Sequence, residues 1–552
     1  MVAATKASGS SGFSHSFWSK RFHAVILALS SILLLCGAGG FLYLESNSPL
    51  TLLNGSDRPV AAATLFVPSQ SAFSVSLLVQ PQKLAAFLQS LESPSQRQQT
   101  VQEINQLEQR FLDKTGLDYE QTIQPWLGNE VTFACTIADL DSDHSNGQQP
   151  GYLVAAEITP ERQQQAKEFL QLFWQQQALA GNAPDSEKIS GVRMLSSTSS
   201  PFVKATALVG DQFVLLANDI RVLKRSIQVA QTAENLAQNL AYRRTVAALP
   251  ETRVSLAYFD LNLLDDSRSD QSFAAASLGL AKTGVVAEAL LSSVMQQSLT
   301  AVNKSAQAAE LKPPDTLARL PADSEIAIAD HNLPRLRSDL AAVGLSAEAL
   351  PALLQSALQL ETDDTPWSWA TGDYALGRLN TGRSKDWVLV VERDDAGIAA
   401  LDRYAIASGY SKVPVTVEDA TVTAWTRLSA SKSSQRSGGS ELETELLGLH
   451  LQQERYEIFT DSLRAMNIML AASEPLIQSA RFEQAISPLP KTSSKGYIYL
   501  DWPVVAPALK RRFPALNQVA TIATPVFSHI DTVAATRENE AVSIFVHLRD
   551  AG

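Results

Sequence analysis

The chain has 552 residues, 45% apolar and 18% charged, which excludes wholesale disorder and supplies enough material for more than one core. Its 57 acidic and 45 basic residues leave a net charge of −12. With no basic stripe interleaved with aromatics, that balance excludes a nucleic-acid surface.

In chain order, residues 1–23 are rich in Ser, Gly and Ala and read as a disordered cytoplasmic tail. Ala24 to Leu44 is an uncharged run of 21 residues, long enough as a helix to cross a hydrocarbon layer of roughly 30 Å. Lys20 and Arg21 precede it and Glu45 follows, which leaves the N-terminus in the cytoplasm and the bulk of the chain exported. A cleaved signal peptide is the competing reading, since Ala24–Leu35 suits its apolar region and Gly37-Ala38 supplies small residues. The length of the run favours a retained anchor. Residues 1–44 hold three charges, Lys6, Lys20 and Arg21, so the exported part carries 42 basic against 57 acidic residues.

A linker, 45–62, leads to a first unit at 63–262. Its alternating segment Phe73–Val79 predicts a strand, and Pro81 opens a helix. Gln96–Thr115 has helical apolar spacing and stops at Gly116. Strands follow at Glu130–Ile137 and Tyr152–Ile158, then a helix over Pro160–Leu179. Strands at Arg193–Ser196, Val203–Val209 and Gln212–Leu216, a helix capped by Asp219 and a strand at Arg253–Phe259 complete the unit. Residues 263–318 read as a helical connector, with Phe273–Leu299 as an Ala-rich soluble helix.

The unit at 319–502 repeats this order, including a helix from Ser346, and a flexible loop over Ser429–Ser440. Residues 503–552 add a helix, Val504–Arg512, and a hairpin from Thr532–Thr536 to Ala541–Leu548. Landmarks recur at offsets of 240 to 253 residues: Pro68 and Pro321, Trp126 and Trp369, Asp211 and Glu454, Tyr242 and Phe482, Ala257-Tyr-Phe-Asp260 and Ile498-Tyr-Leu-Asp501. So long a period indicates one domain copied. The expected fold class is α+β: two tandem homologous domains with antiparallel sheets packed against helices, after one N-terminal transmembrane helix.

The search for chemistry yields no catalytic, cofactor-binding or metal-binding residue. Zinc spacings, phosphate-binding glycine loops and Gly-x-Ser-x-Gly are missing from the sequence. Ser429-Ala-Ser-Lys432 matches the Ser-x-x-Lys pattern but falls in the expected loop. Asp139, Asp141 and Asp143 alternate like a calcium loop, yet His144 stands where glycine is needed and Pro150 where a bidentate Glu belongs. They read as a solvated hairpin loop, with calcium binding left open. Trp126 and Trp369 read as anchors of helix–sheet junctions, and Trp367 and Trp369 as one strand face. Of the two cysteines, Cys36 falls in the apolar run, and Cys135 reads as a buried structural thiol.

Phe66-Val-Pro-Ser-Gln-Ser-Ala-Phe-Ser-Val, Trp126-Leu-Gly-Asn-Glu and Asp211-Gln-Phe-Val-Leu-Leu-Ala resemble domain-of-unknown-function family 3352, over most of Ala61–Asp501. The resemblance implies an exported or membrane-anchored bacterial protein, of a kind abundant in cyanobacteria, and transfers no catalytic residue. The resulting expectation is a non-enzymatic binding or scaffold protein, periplasmic or thylakoid-lumenal. It is attached to the membrane through residues 24–44 and engages a protein partner of unknown identity, without cofactor or nucleic acid. An extracytoplasmic hydrolase with dispersed acid–base residues and a membrane-complex assembly chaperone stay open as alternatives.

Overall fold

The computed structural model describes residues 49–90, 119–141, 149–200, 203–262, 272–293, 314–336, 367–380, 385–432, 440–471, 474–489, 496–512, 529–538 and 541–549. The expected span at 24–44, the helix at Gln96–Thr115 and the helix from Ser346 lie outside these residues. No described helix is long and apolar enough to cross a membrane.

In the first half the strands are β1 (Phe73–Leu77), β2 (Leu127–Ile137), β3 (Gly151–Ile158), β4 (Asp185–Ile189), β5 (Val192–Ser196), β6 (Ala205–Val209), β7 (Phe213–Ala217), β8 (Ser255–Asp260), β9 (Ser272–Ala281) and β10 (Gly284–Ser293). In the second they are β11 (Ser324–His331), β12 (Asp373–Asn380), β13 (Lys385–Glu392), β14 (Ser411–Val417), β15 (Ala420–Lys432), β16 (Ser440–Gln453), β17 (Tyr456–Thr460), β18 (Gly496–Asp501), β19 (Ile530–Glu538) and β20 (Ala541–Leu548). The helices are α1 (Pro81–Ser90), α2 (Gln163–Leu179), α3 (Ile220–Val229), α4 (Leu240–Ala248), α5 (Asp395–Ala407), α6 (Leu463–Leu470), α7 (Ala480–Ile486) and α8 (Trp502–Arg512).

The strands form one antiparallel sheet. Pairing runs β4-β5-β6-β7-β3-β2-β1-β8-β9-β10 through the first half. It crosses from β10 to β20 and continues β20-β19-β18-β11-β12-β13-β17-β16-β15-β14. The order is palindromic: each strand of the first half stands where its counterpart ten numbers on stands in the second. The expected pair of sheets is therefore a single one, and the protein is α+β.

Alternation sorts the side chains. On β1, Val75 and Leu77 join the largest core while Ser74 and Ser76 point the other way. That core extends along one face of both halves, taking in Leu84 and Phe87 of α1, Leu401 of α5 and Val505 of α8, while α2 packs on the same face through Phe169 and Phe173. The opposite face carries α3 and α4 in the first half and α6 and α7 in the second. Side chains start these helices in matching ways: Asp219 caps α3 and Ser462 caps α6, while Asn239 caps α4 and Ser479 caps α7. Asp211 and Glu454, both left-handed at φ 52° and 56°, close matching turns.

Two sequence-based expectations fail here. Phe273–Leu299 is not a helix as far as it is described; it forms the β9–β10 hairpin. Alanine favours a helix locally, but alternation places Phe273 and Ala275 on one face and Ala276, Leu278 and Leu280 on the other, between β8 and β20. Ser429–Lys432 is extended strand rather than loop. The outermost strands, β4 and β14, went unpredicted because Asp185-Ser-Glu-Lys-Ile189 and the Pro414-containing Ser411–Val417 carry polar, edge-blunting residues.

Candidate functional site

Most residues flagged in the sequence serve the fold. Trp126 is 2% exposed, packs against the Phe169 ring of α2 at 5.2 Å with the two planes tilted, and donates from Nε1 to the Thr122 carbonyl at 2.8 Å. Trp369 lies against Gly397 of α5, where an added Cβ would sit 2.1 Å from the ring. Each tryptophan thus meets the first turns of the helix that follows β3 or β13. Trp367 and Trp369 stack at 6.0 Å from a turn, not from a strand face. Cys135 is buried, and burial pushes its thiol up to about 11, which removes thiolate reactivity.

Asp139 and Asp141 are both turned toward Gln149: Asp139 Oδ1 accepts from its backbone N–H at 3.1 Å and Asp141 Oδ2 from its side-chain amide at 2.8 Å. Asp143 lies outside the described residues. No group of three His, Cys, Asp or Glu suited to a metal ion occurs among the described residues. Ser429 and Lys432 sit in extended backbone, without the one-turn helical spacing that brings a Ser-x-x-Lys pair together.

A cluster with catalytic residue types lies in the second half. His450 of β16 points Nδ1 at Glu457 Oε1 of β17, 2.5 Å away, and its Nε2 lies 3.9 Å from Asp402 Oδ1 of α5. Asp402 also accepts from Trp425 Nε1 at 3.0 Å and from Lys412 Nζ at 2.7 Å, while Arg393 binds the second oxygen of Glu457. The imidazole stacks on Trp425 at 4.6 Å and on Phe459 at 5.6 Å.

A carboxylate–imidazole–carboxylate array has the groups of a proton relay. Here, however, His450 is 5% and Glu457 1% exposed, so the ring is nearly closed off from solvent. Strand register puts Thr206 at the same place in the first half: it opposes Leu216 as His450 opposes Phe459. There Trp174 of α2 donates to the Thr206 hydroxyl at 2.8 Å. In the first half the polar residue at this position ties a helix to the sheet directly, whereas in the second half the tie to α5 is the Trp425 Nε1–Asp402 bond beside His450. Sequence inspection missed the cluster because Asp402 is 48 residues from His450 and nothing in the local pattern links them.

A second buried carboxylate works in the first half. Glu130, 4% exposed, accepts the backbone N–H groups of Ala62 and Ala63 at 2.8 and 2.7 Å. Burial raises its carboxyl above the ordinary range despite those bonds. It fastens the Ala62–Ala63 segment to β2.

Fold and site together define an α+β protein whose polar clusters brace the sheet. The chain belongs to the DUF3352 family, described as proteins of unknown function, whose profile matches residues 25–548. No curated protein matches the chain. Among solved structures, crystal form I of TP0453 aligns with 44% of this chain and 86% of its own, at 9% identity and a TM-score of 0.23.

Proposed function

We propose that this protein is a non-catalytic scaffold, exported and held to a membrane by a helix at residues 24–44, which arose by copying one ten-stranded unit. The observation that carries this reading is the palindromic order of strands in one continuous sheet. Neighbouring strands lie about 4.8 Å apart, so the sheet is a platform on the order of 90 Å measured along its surface. It offers equivalent surfaces on either side of β10 and β20, which suits two related contacts with one assembly. Charged β4 and Pro414-bearing β14 discourage end-to-end growth.

The partner acts in the periplasm or the thylakoid lumen. The hydrolase alternative has its best candidate in the His450 cluster, and the burial of that cluster weighs against it. Mild cross-linking and affinity capture of the full chain from native membranes, with residues 1–61 as control, tests the proposal. A stoichiometric partner held by the full chain alone is the expected result; capture of nothing at low salt returns weight to an enzyme. Retention of the chain in alkali-washed membranes tests the anchor separately.

A further inference from the structure

The middle of the sheet contains a row of polar residues without a hydrogen-bonding partner among the described residues. Register places Ser277 of β9 opposite Glu288 of β10, Glu288 opposite Ser543 of β20, and Ser543 opposite Thr536 of β19. All four side chains emerge on the face that carries α4 and α7, because paired residues share a face. The palindrome makes Glu288 and Ser543 counterparts, as it does Ser277 and Thr536. The two-fold relation between the halves therefore passes between Glu288 and Ser543.

On one side of this row, Leu290 packs against the core under α4. On the other, Val286 packs against the core under α7. Glu288 lies between these two covered regions and is half-buried, while Ser277, Ser543 and Thr536 are 3%, 7% and 5% exposed. Among the described residues, no hydrogen bond or ion pair engages any of the four side chains. Burial raises the Glu288 carboxyl above its ordinary range, and no neighbouring group lowers it.

With no protein partner among the described residues, these groups leave their hydrogen-bonding capacity to solvent or to a ligand. Four aligned across adjacent strands, about 4.8 Å apart, form a strip of acceptors with one negative charge in an otherwise apolar floor. A hard metal ion wants more anionic oxygen than one carboxylate supplies. An ammonium or guanidinium group matches better, since its several N–H donors can engage the carboxylate and the flanking hydroxyls together.

We propose that Ser277, Glu288, Ser543 and Thr536 form a binding site for the ammonium or guanidinium group of a ligand, seated between α4 and α7 on the two-fold relation of the halves. The net negative charge of the chain draws cations toward it. The site stands on its own geometry and does not depend on the scaffold reading.

The test uses detergent-solubilised full-length protein titrated with n-butylammonium and with ethylguanidinium, at constant ionic strength. Tetramethylammonium, which carries charge without N–H donors, is the control. The expected result is saturable binding by calorimetry and a rise in Tm with the first two but not with the control. Glu288→Gln keeps the side-chain volume and removes the charge. It should leave the unliganded Tm equal or higher and weaken binding by about tenfold or more. Ser543→Ala should weaken binding by a smaller factor. A lysine-containing tetrapeptide separates the two sources of such a group: tighter binding than butylammonium assigns the site to a polypeptide side chain, and equal or weaker binding to a small amine. No saturable binding at millimolar concentrations, or the same affinity in Glu288→Gln, overturns the proposal.

Discussion

Asn218, just after β7, uses both ends of its amide: Oδ1 accepts the Tyr152 N–H at 2.7 Å and Nδ2 donates to the Pro150 carbonyl at 2.9 Å. Asp461 holds the same place after β17 and accepts the Trp387 N–H at 2.9 Å, but a carboxylate has nothing to donate. Burial, reinforced by the Asp386 carboxylate, pushes Asp461 up to about 6 from an ordinary 3.8. The folded state thus holds this proton more tightly than the unfolded chain. Ionising Asp461 therefore costs stability progressively from near pH 4 to near pH 6, and the cost stays constant above that. Asp461→Asn should raise unfolding free energy at pH 7 by about 1–2 kcal/mol, with the gain gone below pH 4. Urea unfolding at the two pH values checks this, and an equal gain at both would remove the electrostatic explanation. Glu130→Ala orphans the Ala62 and Ala63 amides, and should cost about 2–3 kcal/mol. Hydrogen exchange at those two amides should accelerate first; unchanged protection there would show that the carboxylate does not hold the segment.

At the scale of elements, β10 decides whether two halves become one sheet. Gly284 opposes His547 across the β10–β20 pairing, and a Cβ there would lie 2.1 Å from the Val546 carbonyl oxygen. Only glycine permits the two strands to approach at this point. Gly284→Ala should cost about 1–3 kcal/mol, with loss of amide protection concentrated in β10 and β20. Losses confined to β9 would show that the strain is absorbed elsewhere. The hairpin itself illustrates how context overrides propensity. Ala274, Ala275 and Ala276 serve as strand residues because small side chains fit between the sheet and the helices packed on it.

For the whole molecule, the continuous core on one face predicts a single cooperative unfolding transition rather than two. Two separable transitions in calorimetry would contradict that. The palindrome also makes a prediction about the separated first half, residues 49–293. Its exposed β10 should pair with the β10 of a second copy, in the register that β20 normally takes. Two Glu288 side chains would then face each other where the intact protein sets Glu288 against Ser543, and like charges directly opposite are destabilising. Dimerisation of this fragment should accordingly be weak at neutral pH and strengthened by Glu288→Ser, as read by analytical ultracentrifugation. A fragment that stays monomeric as Glu288→Ser would reject the explanation. Finally, the excess of acid over base beyond residue 44 predicts that residues 62–552 do not bind anionic vesicles at physiological salt; tight sedimentation with such vesicles would refute it.

What the sequence determined by itself is local and periodic. Alternation at Phe73–Leu77, helical spacing from Gln163 to Leu179, the cap at Asp219 and the recurrence of Trp126 as Trp369 were all legible, because each depends on neighbours a few residues away or on a copied pattern. The α+β class and the family followed from them. The tertiary structure alone decided the rest. β4 and β14 are strands because they dock on β5 and β15, despite polar sequences suited to an edge. His450, Glu457 and Asp402 meet because a hairpin and a helix converge on one face, and the Ser277–Thr536 row exists only once β10 has found β20. Such contacts join residues tens to hundreds of positions apart, and their free energy depends on burial and register, which no local pattern encodes.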